Sequence, residues 1–216
     1  EVPLVFMPHE GEGGHDLHRA DNCNFIFNVT GGGDNGRGVA EYVSVSNTGS
    51  ASCTSSTQGS VNCIDGKGSA PSAGSNHLIY WDGDPVREIF DADEPSAYDY
   101  DPFYPDEGGI SKSGQGMVLS LSNFGTNNGT KHNPNLTADL LGDWREELVV
   151  READSSGLRI YTTTIVTEHR FYTLMHDPTY RMQVAFQQSS YNQPPHVLFH
   201  MGIGMAMPPS PNIHVK

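Results

Sequence analysis

The sequence predicts an all-β fold, and three observations carry this prediction. Glycine (24 residues) and proline (14 residues) are abundant in a chain of 216 residues. Because both interrupt repeating backbone geometry, turns must be frequent. Short runs rich in β-branched and aromatic side chains recur between glycine, proline, asparagine and aspartate, as is typical of strands. Only EHRFYTLMHD (168–177) looks locally helical.

The expected strands follow one another along the whole chain. In order they are PLVFM (3–7), DLHRA (16–20), NFIFNV (24–29), GVAEYVSV (38–45), HLIYWD (77–82), PVREIFD (85–91), GMVLSLS (116–122), ELVVRE (147–152), LRIYTTT (158–164), RMQVAFQQ (181–188) and HVLFHMG (196–202). Loops are expected at 47–60 and 66–76, which lack large apolar side chains. The acid-rich stretch 91–109 is either a disordered insertion or a loop ordered by a metal ion.

Even spacing of short antiparallel strands suits a sandwich or a propeller. HLIYWDGDPVREIFD (77–91), two strands joined at Gly83, is like the hairpins from which propeller blades are assembled. An incomplete propeller exposes sheet edges, so self-association through these edges is expected.

The charge of the chain limits its partners. The formal net charge is -14, from 12 basic and 26 acidic side chains, and such a chain repels phosphate backbones, which argues against nucleic acid. Clustered acids favour a hard divalent cation such as calcium, although an acidic, soluble surface has the same composition. No run of about 18 apolar residues is present, so no membrane span is expected. No signal peptide is visible at the start.

The three cysteines leave the redox state open. Cys53 and Cys63 could close a short disulfide loop, which would leave Cys23 unpaired. Sequons at Asn28 and Asn135 fit a secreted protein.

Residues 127–152, NNGTKHNPNLTADLLGDWREELVVRE, place Lys131 in a turn shortly before several acids. The plain interpretation is a solvated hairpin followed by a charged strand edge. A functional interpretation is that a loop carries the lysine into a substrate groove, while the acids bind a cation or pair with Arg145.

Longer blocks favour the functional interpretation. ADLLGDWREELVVRE, followed by LRIYTTTIVTEHRFYTLMHDPTYRMQVAFQQSSYNQPPHVLFHMG, resembles the C-terminal part of rhamnogalacturonan endolyases of polysaccharide lyase family 11. That family consists of secreted, calcium-dependent, eight-bladed β-propeller enzymes. The resemblance is strong over 76–205 and weaker over 1–75, through GGDNGRGVAEY and MPHEGEGGHDLHRA. It implies that 1–216 is a single domain, the C-terminal portion of the propeller, without the N-terminal blades. EYVSVSNTGS stands where the family has an aspartate-rich calcium segment.

The resemblance also implies the residues of the active site. Lys131 of the NGTK motif and Tyr191 of SSYNQPPH match the two catalytic positions, with Lys131 favoured as the base and Tyr191 as the acid, although the roles could be exchanged. Asn128, Gly129 and Thr130 would hold the sugar. A lyase of this kind removes the proton at C5 of a uronic acid, so it needs a base within hydrogen-bond reach.

The candidate calcium ligands lie inside the matching blocks: Asp139, Asp143, Asn192, Glu10, Asp34 and His9. Each could equally be an ordinary hydrogen-bonded turn residue, and His9 is the weakest because calcium prefers oxygen ligands. Trp81 and Trp144 are expected in the core. Arg159 and Arg170 could contact a uronate carboxylate, but structural ion pairs are favoured.

Three functions compete at this point. The first is a rhamnogalacturonan lyase that cleaves the galacturonic acid–rhamnose backbone of rhamnogalacturonan I by calcium-assisted β-elimination. The second is a carbohydrate-binding or assembling propeller fragment without catalysis. The third, glycoside hydrolysis by Glu146 and Glu147, is weak because adjacent residues on a strand point to opposite faces.

Overall fold

Antiparallel sheets supply nearly all the regular structure of the chain. The computed structural model describes residues 2–11, 13–31, 33, 35–45, 51–55, 59–71, 74, 76–93, 105–128, 131–188, 192–208 and 210–211. The regular helical structure within these ranges is one 3₁₀ turn (Leu174–His176) and one short helix, α1 (Pro178–Phe186). The prediction of an all-β fold is therefore confirmed. No helix in the described ranges is both long enough and apolar enough to cross a membrane.

Two small sheets form from the N-terminal third of the chain. The first has the order β1-β2-β3 and consists of β1 (Leu4–Pro8), β2 (His15–Arg19) and β3 (Phe25–Val29). The second has the order β4-β5-β6 and consists of β4 (Gly38–Glu41), β5 (Ser52–Ser55) and β6 (Gly59–Asn62). Phe6 and Phe27 of the first sheet and Cys53 of the second belong to one apolar cluster, so the two sheets share a core.

The third sheet has seven strands and contains the later part of the chain. Its members are β7 (His77–Ile79), β8 (Glu88–Asp93), β9 (Asp106–Lys112), β10 (Gly116–Gly125), β11 (Leu136–Ala138), β12 (Glu147–Glu152) and β13 (Leu158–Tyr161). Its order is β11-β12-β10-β9-β8-β7, with β13 also paired to β12. β10 is the longest strand and joins the two halves of the sheet, because its end pairs with β12 at Phe124 and Gly125.

Two hairpins of this sheet are copies of one another. β7 and β8 correspond to β11 and β12, residue for residue, at one constant offset in sequence. Residues 80–88, here named turn A, and residues 139–147, here named turn B, join the paired strands. A glutamate closes each turn by accepting two backbone N–H groups through Oε2: Glu88 from Trp81 (2.9 Å) and Asp82 (3.2 Å), and Glu147 from Leu140 (2.9 Å) and Leu141 (3.0 Å).

Both tryptophans are buried, as predicted. Trp81 packs with Phe90, Ile110 and Phe124 inside the seven-stranded sheet. Trp144 belongs to a second cluster with Tyr80, Leu174, Tyr180 and Met201, which fixes the helix and the C-terminal segment against the turns.

The disulfide question is answered by the second sheet. Cys53 on β5 and Cys63 just after β6 are bonded to one another, and both side chains are buried. Cys23 is exposed and lies outside any disulfide. The bond spans a hairpin made largely of serine, threonine and glycine, which brings little apolar area of its own.

We expect the free energy of unfolding of the Cys53→Ala/Cys63→Ala variant to be about 2–3 kcal/mol lower than that of the wild type. The loss is not larger because the disulfide closes a short loop. Urea denaturation followed by circular dichroism measures this difference. Cys23→Ala, which also removes a thiol, is the control and should leave the transition unchanged. Equal midpoints for the wild type and the double variant would contradict the expectation.

Several sequence predictions about secondary structure are wrong. The loop expected at 47–60 contains β5 and part of β6, a hairpin stabilised by the disulfide and by burial. The stretch 91–109 contributes to β8 and β9 at its ends, and its residues 94–104 lie outside the described part of the chain. No strand forms at 196–202.

The helix was expected too early in the sequence, and the strand expected at 181–188 lies largely within α1. Asp177 caps this helix by accepting the N–H groups of Thr179 (2.8 Å) and Tyr180 (3.0 Å). Pro178 occupies the first turn, where its missing N–H costs nothing. The residue before a proline avoids helical geometry, which explains why the helix starts at this point.

Candidate active site

Backbone hydrogen bonds connect the described residues on the two sides of the Lys131 loop. Asn127 donates its N–H to the carbonyl of Asn133 (2.8 Å), which closes the base of the loop. At the tip, the N–H groups of Lys131 (3.1 Å) and His132 (2.6 Å) both donate to the carbonyl of Asn128. The Lys131 side chain is half-buried. Gly129 and Thr130 lie outside the described residues, so their predicted contacts with the sugar stay predictions.

A buried set of amides connects this loop to the C-terminal segment. Asn133 and Asn192 are both almost completely buried. The side-chain amide of Asn133 donates to the carbonyl of Asn192 (2.6 Å) and to its side-chain oxygen. The side-chain amide of Asn192 donates in return to the carbonyl of Pro134 (3.0 Å). Tyr191 itself lies outside the described residues, but the residue that follows it is fixed against the Lys131 loop.

Arg37 completes this connection from the N-terminal side. Its guanidinium is buried and donates to Asn133 Oδ1 (2.5 Å) and to the carbonyl of Asn192 (2.9 Å). A further bond from Arg37 reaches the carbonyl of Asn76, just before β7. One planar group therefore joins three segments that are distant in sequence. Arg37 was not singled out from the sequence, because nothing local in GGGDNGRGVAEY shows which segments it will reach.

Two of the predicted metal ligands, Asp139 and Asp143, have partners within the chain. Asp139 is buried and accepts from Thr173 Oγ1 (2.7 Å) and the N–H groups of Leu174 (2.8 Å) and Gly142 (2.8 Å). Burial raises the pKa of this carboxyl despite these bonds. Asp143 pairs with Arg145, as one of the sequence interpretations expected.

The three calcium-ligand candidates near the N-terminus are His9, Glu10 and Asp34. His9 Nε2 lies 2.8 Å from Asp16 Oδ2, and Glu10 is exposed. Asp34 lies outside the described residues. The assignment of these positions and of Asp139, Asp143 and Asn192 to calcium stays a prediction.

A different group of carboxylates has the spacing of a metal site. Within the described ranges, ligand atoms of Asp82, Asp84 and Glu88 in turn A lie within 4.8 Å of one another. The ammonium group of Lys112, at the end of β9, contacts all three: it is bonded to Asp82 and Asp84, and it lies 3.2 Å from Glu88 Oε1. The geometry therefore does not fit a divalent cation while Lys112 is in place. The WDGDPVRE pattern could have revealed the acids, but not the lysine, which strand pairing brings to them.

The remaining charged candidates have structural partners. Arg159 pairs with Glu152, as favoured from the sequence, and Arg170 donates to the carbonyl of Thr167 (2.9 Å). Glu146 is buried and accepts from the Tyr180 hydroxyl (2.6 Å). Glu147 is also buried and holds turn B, so these two glutamates do not form an open pair for glycoside hydrolysis.

Comparison with known proteins shows which proteins this chain resembles. Residues 3–211 match the sequence model described as rhamnogalacturonan lyase family 11, C-terminal domain. The chain is 43% identical over 213 residues to the rhamnogalacturonan endolyase YesW of Bacillus subtilis (strain 168), covering 97% of this chain and 33% of that protein. It is 41% identical over 229 residues to the rhamnogalacturonan exolyase YesX of the same strain, covering 98% of this chain and 36% of that protein. The chain thus spans about a third of the length of these relatives.

Solved structures agree with the sequence comparison. The exotype rhamnogalacturonan lyase YesX superposes with a TM-score of 0.80 at 39% identity, covering 98% of this chain and 36% of that one. A Bacillus licheniformis rhamnogalacturonan lyase, PL11, superposes with a TM-score of 0.80 at 41% identity, covering 98% and 35%. Both the fold and the sequence are therefore similar to the same part of these longer proteins.

Proposed function

Because the chain belongs to rhamnogalacturonan lyase family 11, whose C-terminal domain it matches from residue 3 to residue 211, we propose that it carries the catalytic lysine and tyrosine of a complete lyase. The substrate is rhamnogalacturonan I, and the reaction is β-elimination between galacturonic acid and rhamnose. The single observation that supports this proposal is the buried connection between Asn133 and Asn192. These residues lie two positions after Lys131 and one position after Tyr191.

The proposed reaction needs one base and one acid on the same sugar ring. The free amine of Lys131 takes the proton from C5, and the electron pair of that C–H bond forms the C4–C5 double bond. The bond between C4 and its oxygen breaks, and the Tyr191 hydroxyl gives its proton to the departing oxygen. Asn128, Gly129 and Thr130 hold the uronic acid beside them. The backbone hydrogen bonds of Asn127, Lys131 and His132 are formed before substrate arrives, which reduces the entropy lost on reaching a reactive geometry.

We propose that the complete enzyme also binds calcium. A bound divalent cation would neutralise the uronate carboxylate and make the C5 proton more acidic. We keep His9, Glu10, Asp34, Asp139, Asp143 and Asn192 as the proposed ligands. The internal hydrogen bonds of Asp139 weigh against that residue, and so chelation of the complete enzyme is the test.

We also propose that the protein is secreted and that the three sheets are blades of a larger propeller. The Cys53–Cys63 disulfide favours an oxidising compartment. Self-association through open sheet edges is expected only of a chain that lacks the remaining blades.

The decisive measurement is the ultraviolet absorbance of the 4,5-unsaturated uronate that elimination produces from rhamnogalacturonan I. We expect the complete enzyme to generate this absorbance and to lose it on chelation. Lys131→Met and Tyr191→Phe should each lower turnover by about 10²–10⁴-fold, the usual contribution of a positioned acid or base. Lys67→Met, which removes an exposed lysine, is the control and should retain wild-type turnover.

The other outcomes point to the other functions. Normal turnover in both Lys131→Met and Tyr191→Phe would remove the assignment of these residues. Reducing sugar without the absorbance would indicate hydrolysis. Binding of the polysaccharide with neither product would indicate a carbohydrate-binding module.

A further inference from the structure

Turn A holds an unusual concentration of negative charge for a site with little contact with solvent. Glu88 is completely buried, and the side chains of Asp82 and Asp84 are 16% and 27% exposed. Buried or half-buried carboxylates this close repel one another strongly unless a cation lies among them. Lys112, whose side chain is 5% exposed, is that cation in the structure.

The oxygens of the three acids are divided between the backbone and Lys112. Asp82 Oδ1 accepts the N–H of Asp84 (2.8 Å), and Asp84 Oδ1 accepts the N–H of Val86 (3.1 Å). Glu88 Oε2 is already used by the N–H groups that close turn A. The other oxygen of each acid faces the Lys112 ammonium group. The ammonium group, which has three N–H donors, is hydrogen-bonded to two of these oxygens, on Asp82 and Asp84, and lies 3.2 Å from the third, Glu88 Oε1.

Turn B shows what happens where one of the three equivalent positions is not acidic. Leu141 takes the position of Asp82 in turn B. Thr162 takes the position of Lys112, because the strand pairing, continued by one residue, places Lys112 opposite Glu88 and Thr162 opposite Glu147. The Thr162 hydroxyl donates to Glu147 Oε1 (3.0 Å), the oxygen equivalent to the one that Lys112 faces in turn A. The cation thus occurs in the turn where all three equivalent positions are acidic, and a neutral donor replaces it in the turn where Leu141 stands in place of Asp82.

We propose that the ammonium group of Lys112 is the resident cation of turn A and occupies the place where a divalent metal ion would otherwise bind. Burial lowers the pKa of Lys112, but its bonds to Asp82 and Asp84 outweigh burial and raise it above the ordinary value. The lysine is therefore positively charged wherever the protein is folded near neutral pH. Turn A is consequently independent of calcium, even if other parts of the complete enzyme require it.

The first test counts calcium in the complete protein. Wild type and Asp82→Asn/Asp84→Asn are equilibrated with calcium, passed through a desalting column and measured by atomic emission. We expect the same number of calcium ions per chain in both proteins. One ion fewer in the double variant would overturn the proposal, because it would place a metal ion in turn A of the wild type.

The second test removes the lysine and remains informative if the first variant does not fold. Lys112→Thr copies the residue found beside turn B and leaves three carboxylates with an added hydroxyl, a set of oxygens that suits calcium. We expect this variant to bind one more calcium ion per chain than the wild type, and its melting temperature to rise more on addition of calcium. Adding Asp82→Asn/Asp84→Asn should remove the extra ion, whereas Lys67→Thr should gain none. A Lys112→Thr variant that gains no calcium ion would overturn the proposal.

Discussion

Replacing Arg87 with methionine is expected to lower the free energy of unfolding by about 3–5 kcal/mol, the usual effect of removing one partner from a buried ion pair. The Arg87 side chain is completely buried, with Nη1 3.5 Å from Glu146 and Nε 3.5 Å from Glu41. It also donates to the carbonyl of Pro195 and lies over the ring of Tyr80, 4.1 Å from its centroid. Methionine fills similar space but leaves Glu146 buried without a cation. Urea denaturation of the chain measures the loss.

The same variant should change how stability depends on pH. Burial raises the pKa of Glu146, and Arg87 opposes this rise, so removing Arg87 raises the pKa further. A carboxyl whose pKa is higher in the folded than in the unfolded state binds more protons when folded, so stability falls as pH rises. We expect the free energies of unfolding of Arg87→Met and the wild type to be closest in acid. The variant should lose stability as pH rises from about 4.3, the ordinary pKa of glutamate, towards the raised pKa of Glu146.

Two further variants separate charge from packing. Arg87→Met/Glu146→Gln should recover part of the lost stability, because it removes the uncompensated charge. Arg19→Met breaks the exposed pair with Asp21 and should leave the urea midpoint nearly unchanged, because solvent screens this pair. The expectation fails if Arg87→Met and Arg19→Met destabilise the chain equally.

The second large effect concerns activity. In the complete enzyme, Arg37→Met should lower kcat by about 10²-fold with little change in KM, because displacement of catalytic groups by about 1 Å has effects of this size. Arg37 holds the side chain of Asn133 and the carbonyl of Asn192 together, and the proposed catalytic residues lie beside them in sequence. Arg37 itself has no proposed contact with substrate, so sugar binding should persist.

Initial rates from the unsaturated uronate absorbance, over a range of substrate concentrations, give kcat and KM separately. Circular dichroism at the assay temperature must show that Arg37→Met is folded. Arg37→Lys should recover little, because an ammonium group cannot reproduce the planar fork that reaches three acceptors. Arg19→Met is again the control. Wild-type kcat in folded Arg37→Met would rule out a positioning role for this residue.

How far the sequence predicts this fold depends on whether each element is defined locally. β12 was predicted with its observed limits because ELVVRE is a β-branched run bounded by charges. β5 and β6 were missed because SCTS and GSVN have weak strand propensity, and a disulfide and neighbouring sheets stabilise them. Asp177 and Pro178 mark the start of α1, whereas the aromatic spacing of 168–177 indicates a helix that lies too early in the chain.

The residues of the candidate site likewise differ in whether the local sequence indicates them. Lys131 and Tyr191 lie in continuous motifs and could be selected by resemblance alone. The groups that organise their surroundings could not: Arg37 meets Asn192 across a sequence separation of 155 residues. Lys112 reaches turn A because β9 pairs with β8, a register that no short motif encodes. Continuous motifs indicate the residues proposed for chemistry, whereas contacts between distant segments position the buried charges of Arg37 and Lys112.

The C-terminal segment after α1 has a consequence for biosynthesis. Asn192 and Pro195 accept from the buried guanidiniums of Arg37 and Arg87, and His196 lies 3.0 Å from Glu41. Until residues 192–196 have been translated, both arginines lack acceptors that they have in the folded chain. The segments around Arg37 and Arg87 therefore lack part of their native hydrogen bonds during synthesis, and chaperones and proteases can act on them. A premature stop codon just before Asn192 should accordingly yield a product that is degraded rather than one that is merely shorter.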